Sequence, residues 1–207
     1  MSKNVLELII CYGIMKQMKQ NSHIKMNAGE IVLNSSNKLQ GERVVEYRKT
    51  IADLVHCFLD TQQAIQEAET LAYTVFAVDS KDPENEYRYS ITKLEPIFIN
   101  DECNMTRGHY HQDRKYGEVY LGLEGEGLLL SWDGINEPFL ERVYPNSVHL
   151  IDGKNAHRLI NTGDRVLSVG AIYSVHAGNE YDEIEKHPFP VRVFKRNGTV
   201  EFVFNNQ

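Results

Sequence analysis

Cysteine is scarce in this chain and badly placed for pairing: Cys11, Cys57 and Cys103 stand far apart, without Cys-x-x-Cys spacing. An odd, scattered set argues against a disulfide framework and a thiolate metal site, and leaves reduced cytosolic thiols as the expectation. Positive charge is also in short supply. The 22 Lys and Arg face 29 Asp and Glu, for a formal net charge of −7, and the basic residues are scattered. A phosphate-tracking groove needs them clustered, so a nucleic-acid partner is not expected. Proline is limited to 6 residues, and no Ser/Gly-rich tract or repeat interrupts the chain, which leaves no candidate for a long linker. Long apolar runs are missing too. Val5 to Met15 comes nearest, but Glu7 interrupts it, and Lys16, Gln17 and Lys19 follow where a cleavable leader would carry small residues. It is too short to span a bilayer, and a peripheral amphipathic helix is the expected state. A start codon placed too early would also account for it.

What is present suffices for one buried core: 207 residues, 42% of them hydrophobic and 25% charged. From Lys49 to Thr74 the residues Ile51, Leu54, Val55, Phe58, Leu59, Ala64 and Ala68 fall near helical spacing, broken around an Asp60-Thr61 cap signal. Beyond this preface the pattern turns to short β-rich runs. They are Tyr73 to Val78, Tyr87 to Leu94, Glu118 to Leu123, Gly127 to Trp132, Ser147 to Ile151, Val166 to Tyr173 and Val191 to Phe204. Many short strands predict a sandwich or barrel. Arg196-Asn197-Gly198-Thr199 between alternating Val and Phe predicts a closing hairpin, and Gly125 and Gly127 predict a tight turn between two buried strands.

His109 and His111 are separated by one residue, so on a strand both imidazoles point to one face and can share an ion. Glu118 follows on the next β run and His157 opens another, completing a set of three imidazoles and one carboxylate. Nitrogen and hard oxygen donors together suit Fe, Mn, Ni, Zn or Co and leave open positions for a substrate. A His-x-His pair alone fits hydrogen-bonded strand histidines equally well.

The wider order is more specific. Gly108-His109-Tyr110-His111, a gap of six, Glu118, a further gap of six and Gly125 resembles the first cupin motif, and His157-x-x-x-Asn161 resembles the end of the second. Ordinary cupins place the glutamate closer to the histidine pair. The longer gap resembles the cupin-type glucose-6-phosphate isomerases of archaea and some bacteria. So do Thr106-Arg107-Gly108-His109-Tyr110-His111, Glu118-Val119-Tyr120, Ala156-His157-Arg158, Asn161-Thr162-Gly163-Asp164, Ala171-Ile172-Tyr173, Ala177-Gly178 and Tyr181. The resemblance runs from about Val45 to the final hairpin. It implies an all-β-dominated cupin (double-stranded β-helix, jelly-roll) barrel over 45–207, with a short helical preface and an N-terminal extension over 1–44. It also implies a metal-dependent aldose–ketose isomerase of glycolysis and gluconeogenesis, cytoplasmic and homodimeric, acting on glucose 6-phosphate and fructose 6-phosphate without nucleic-acid or membrane partners. One divalent transition metal per chain, iron before Mn, Ni, Zn or Co, would be held by His109, His111, Glu118 and His157. Thr92, Thr106, Gly108 and Tyr120 match positions that hold the sugar phosphate. Glu118, Tyr173 and Tyr181 match catalytic or pocket-lining positions.

Each residue also has a plain structural reading. Thr92 and Thr106 are β-branched residues that suit strands anyway, and Tyr120 and Tyr173 fit as barrel filling. Arg107 and Arg158 flank ligands, and alternation points both to the opposite face. Where the family shows a histidine after Ala-Gly, this chain has Asn179, with His176 as a substitute only if its strand end turns inward. The family's Pro-Gly turn is Pro145-Asn146 here, which Asn tolerates. Two further readings stand beside the isomerase: another cupin metalloenzyme such as a non-haem iron dioxygenase, and a sugar-phosphate-binding cupin without turnover.

Overall fold

The computed structural model describes residues 31–79 and 87–205, so the Val5 to Met15 segment and Cys11 lie outside the described residues. The strands are β1 (Val32–Leu33), β2 (Leu39–Gln40), β3 (Val44–Thr50), β4 (Leu71–Val78), β5 (Tyr87–Leu94), β6 (Phe98–Ile99) and β7 (Glu102–Cys103). They continue as β8 (Glu118–Glu124), β9 (Gly127–Trp132), β10 (Phe139–Val143), β11 (Val148–Ile151), β12 (Ala156–Asn161), β13 (Leu167–Ser174), β14 (Val191–Arg196) and β15 (Thr199–Phe204). A six-stranded sheet runs β11-β8-β13-β5-β4-β3, a second runs β10-β9-β12, and a third runs β15-β14-β7-β6; β1 and β2 form a ribbon of their own. Neighbours pair antiparallel throughout, and this is the cupin barrel that the motif order implies.

Period-two alternation positions the faces. On β11, His149 and Ile151 are buried while Val148 and Leu150 are exposed. Leu94, Leu129, Leu130 and Leu167 are fully buried, each burial stabilising by about 1.5–3 kcal/mol. Two buried asparagines cross-link the strands. Asn161 Nδ2 donates to the carbonyls of Leu94 and Arg165, and Asn104 Nδ2 donates to those of Ala72 and Glu95. A lost partner would leave a buried group unsatisfied, which costs about 1–3 kcal/mol. Asn161, which the sequence presents as part of a cupin motif, therefore ties β12 to β5.

The expected helical preface is shorter and differently made. β3 runs to Thr50, a 3-10 helix covers Ile51–Cys57, an α-helix covers Thr61–Gln66, and β4 already begins at Leu71. Ile51, Leu54 and Cys57 recur every third residue, so the three-per-turn helix buries all of them on one side. The Asp60 carboxylate accepts from the Gln63 N–H at 2.9 Å, as its cap signal suggests. β3 and β10 escape sequence reading because both are sheet edges with mostly exposed or half-buried side chains and no alternation. The closing hairpin holds Asn197 at φ 50 and Gly198 at φ 78, as a two-residue primed turn requires. Asn146 sits at φ 71 in a turn closed by the Ser147 N–H on the Tyr144 carbonyl at 2.9 Å. Among the described residues, no helix is long and apolar enough to cross a membrane.

Candidate metal centre

Three elements carry the four donors. His109 and His111 lie on an irregular segment docked on β12 through the bridge His109↔His157, with N–O distances of 3.3 and 3.0 Å. Glu118 opens β8, directly opposite Tyr173 of β13. His157 is the second residue of β12. One ligand atom from each of His109, His111, Glu118 and His157 lies within 4.8 Å of the others. Glu118 Oε2 is 3.2 Å from both His111 Nε2 and His157 Nε2. His111, Glu118 and His157 are buried.

Electrostatics and hydrogen bonding both point these donors inward. Burial alone would raise the Glu118 carboxyl, but the adjacent His111 and His157 imidazoles outweigh it and, without an ion, hold it at about 2. Burial, reinforced by His157 and His111, pushes His109 well below the usual imidazole value, so it is a neutral donor. His111 Nδ1 lies 2.6 Å from the Tyr116 carbonyl, which only accepts, so Nδ1 carries a proton; Nε2 faces Glu118 Oε2 at 3.2 Å and would have to give up any proton of its own to bind a metal. His157 Nδ1 faces the Asn155 carbonyl at 3.4 Å in the same sense. His157 Nε2 is buried and, although 3.2 Å from Glu118 Oε2, makes no hydrogen bond of acceptable geometry, as expected of a ligand atom. The donor set and this nitrogen fit a divalent transition metal.

A cavity of about 150 Å³ opens beside the cluster. Thr92, Thr106, Gly108, Tyr120, Tyr173 and Tyr181 all line it, as do His109, His111 and Glu118. Thr106 Oγ1 accepts from the Leu159 N–H at 3.0 Å, which leaves its own proton to offer. Burial pushes Tyr73 up to about 12 and raises Tyr120 and Tyr173, so all three remain neutral O–H groups at pH 7. Asn179 also lines the cavity and donates from Nδ2 to the Tyr181 hydroxyl at 3.1 Å.

A family model described as glucose-6-phosphate isomerase matches residues 48–206. The chain belongs to the glucose-6-phosphate isomerase family. A glucose-6-phosphate isomerase from Pyrococcus horikoshii is 31% identical over 160 residues, covering 76% of this chain and 85% of that protein. One from Pyrococcus abyssi is 30% identical over the same span and coverage. Among solved structures, an oxalate decarboxylase from Lactobacillus farciminis overlaps 52% of this chain and 30% of its own, at 18% identity and a TM-score of 0.43.

The isomerase-family site differs from the sequence reading in three ways. Arg107 does not turn away: it lines the cavity, with its guanidinium 4.2 Å over the Tyr181 ring and paired to Glu185. Alternation fails there because Gly108 sits at φ 78, so the chain turns between Arg107 and His109 instead of continuing a pleat. Arg158 does face the opposite side, stacked 4.4 Å from Phe189. His176 is no substitute for the missing histidine. It stacks on Tyr116 at 5.8 Å and does not line the cavity. Tyr73 and Ser90, cavity residues that the sequence reading did not single out, lie on inward faces of β4 and β5. Ser90 stands two residues before Thr92, a period-two signal that would have found it.

Proposed function

We propose that this chain interconverts glucose 6-phosphate and fructose 6-phosphate, with one divalent transition metal held by His109, His111, Glu118 and His157. The observation that carries the reading is a buried three-imidazole, one-carboxylate cluster opening onto a hydroxyl-lined cavity, in a chain of the glucose-6-phosphate isomerase family. An ion bound there would supply Lewis-acid polarisation of the sugar oxygens. Thr92, Thr106, Gly108 and Tyr120 offer hydroxyl and backbone donors to the phosphate, and Arg107 supplies positive charge at the cavity wall.

Isomerisation moves the C2 hydrogen of the aldose to C1 and a proton from the C2 hydroxyl to O1. A carboxylate ligating a cation has its basicity lowered, which favours direct transfer of the C2 hydrogen as hydride over its removal as a proton by Glu118. Glu118 then contributes charge and ligation, while Tyr173 and Tyr181 are the groups beside it suited to passing the hydroxyl proton. The 45–207 segment would be the catalytic domain and 1–44 an extension to it, in a cytoplasmic homodimer. On the outer face, Leu150, Val119, Ile172 and Tyr89 form one cross-strand row, and Leu150 and Ile172 are 78% and 47% exposed. That apolar row is the face proposed for the second copy.

Asn179, standing in the cavity where the family carries a histidine, supports one alternative: a sugar-phosphate binder without turnover. The deciding measurement is conversion of fructose 6-phosphate by purified protein after chelation, and again after adding Fe, Mn, Ni or Zn. Loss and metal-specific recovery are expected. Bound metal and bound sugar phosphate without turnover would establish the alternative.

A further inference from the structure

A second cavity, of about 190 Å³, shares Arg107 with the first, and Gly108 of the first packs on two of its lining residues, Phe189 and Arg158. It is lined by Cys57 and His56 at the end of the 3-10 helix, Arg158 of β12, Arg192 and Phe189. Its charges are nearly all matched. Glu102 accepts from Arg192 at 2.8 Å and from the Leu59 N–H at 2.7 Å. Glu185 pairs with Arg107 and with His56 at 3.7 Å. Arg158 is the exception. No carboxylate lies within 4.0 Å of it among the described residues. Its Nη1 donates to the Met105 sulfur at 2.9 Å and its Nη2 to the Arg107 carbonyl, while its Nε is buried without a partner. The atom nearest to serving as its counter-charge is Cys57 Sγ, 3.9 Å from Nη2.

A buried guanidinium without an anion is costly, and a thiolate beside it removes that cost. Burial pushes the Cys57 thiol up, but Arg158 and His56 outweigh it and leave the thiol more acidic than an ordinary cysteine. The other charged or titratable groups around it are Arg107, paired to Glu185 and with its carbonyl 3.9 Å from Cys57 Sγ as the thiol's acceptor, Arg192, whose Nη1 donates to the Cys57 carbonyl at 2.8 Å, the paired carboxylates Glu102 and Glu185, and the neutral phenol of Tyr73. Cys103 is the contrast within the same chain: fully buried, with its thiol pushed up to about 12 by burial.

We propose that Cys57 is a modification site for small hydroperoxides, and that its oxidation reaches the four-donor centre through Arg107 and Gly108. The thiolate sulfur attacks the terminal peroxide oxygen, an S–O bond forms as the O–O bond breaks, and hydroxide (from hydrogen peroxide) or alkoxide (from an alkyl hydroperoxide) leaves and takes up a proton as water or an alcohol. Sulfur is oxidised by two electrons to the sulfenic acid and the peroxide is reduced. The added oxygen displaces Arg158, which holds the Arg107 carbonyl and packs against Gly108. A Cβ at Gly108 would stand 2.9 Å from Arg158 Nε, so this strip has no slack, and His109 is its next residue.

The test is thiol labelling of the intact, metal-free protein by iodoacetamide across pH, with peptide mapping by mass spectrometry. At pH 7 Cys57 is expected to react at least tenfold faster than Cys103, with a midpoint below the ordinary thiol value of about 8.5. Arg158→Gln is expected to raise that midpoint while leaving the rate at pH 10 unchanged, which separates acidity from access. Dilute hydrogen peroxide followed by dimedone should place the sulfenic adduct on Cys57. After peroxide removal and metal restoration, turnover should fall, recover with dithiothreitol, and be insensitive to the same treatment in Cys57→Ser. Labelling no faster than Cys103, or a midpoint at or above 8.5, would overturn the site. Equal peroxide sensitivity of Cys57→Ser would overturn its link to the metal centre.

Discussion

Gly108 lines the first cavity and packs on two lining residues of the second, and replacing it with alanine tests whether that contact is as tight as its geometry implies. The residue sits at φ 78, a region that costs an L-residue about 1–2 kcal/mol. A Cβ would also stand 2.8 Å from Phe189 Cε2 and 2.9 Å from Arg158 Nε. Overpacking of this kind costs about 1–3 kcal/mol. Gly108→Ala should therefore destabilise the protein by about 2–5 kcal/mol. Gly198 supplies the control, because it has the same φ of 78 with nothing within 4 Å of its added Cβ. Gly198→Ala bears the backbone strain alone, so the difference between the variants isolates the packing contribution. Urea unfolding of metal-free protein, followed by the fluorescence of the single tryptophan, Trp132, reads both; its ring lies 6.3 Å from that of Phe189. With a urea slope near 2–3 kcal/mol/M, the Gly108 variant should lose about 1–2 M in midpoint. Equal midpoints for the two variants would refute the reasoning, since Phe189 and Arg158 would then yield without cost.

Glu118→Gln removes the only carboxylate of the donor set; turnover should fall by at least ~10³ while sugar-phosphate affinity changes little, as measured by isomerase assay and calorimetry. Turnover at the parent rate would remove Glu118 from the chemistry. The same residue predicts an acid response. Its folded value of about 2 lies below the ordinary 4.5, so its contribution, ~3 kcal/mol, is present above about pH 4.5 and lost as pH falls towards 2. Metal-free Glu118→Gln should show a flatter loss of urea midpoint over that window, and parallel curves would contradict the assignment. Leu150→Lys combined with Ile172→Lys places charge on the exposed outer row and should shift the sedimentation of the proposed homodimer to that of a monomer with the fold intact. A dimer that persists at micromolar concentration would locate the interface elsewhere.

The sequence by itself determined which donors are available to the candidate site. His109, His111, Glu118 and His157 are set by residue type and spacing, and the structure gathers all four within 4.8 Å. It also determined the closing hairpin, because Asn197-Gly198 favours left-handed backbone wherever it occurs. β8 and β11 were legible because a half-buried strand writes its burial into a period of two, and β9 and β13 because strands buried nearly throughout read as short continuous apolar runs. The edge strands β3 and β10 carry no such record, since most of their side chains meet solvent or only half-bury. Tertiary structure alone decided that Tyr73 and Arg107 share a cavity with the histidines, that His176 does not, and that Cys57 and Arg158 meet across 101 positions of chain. Local periodicity fixes which face of a strand is inward. Which inward faces meet depends on long-range register and on single points such as Gly108, where a positive φ breaks the alternation on which sequence reading depends.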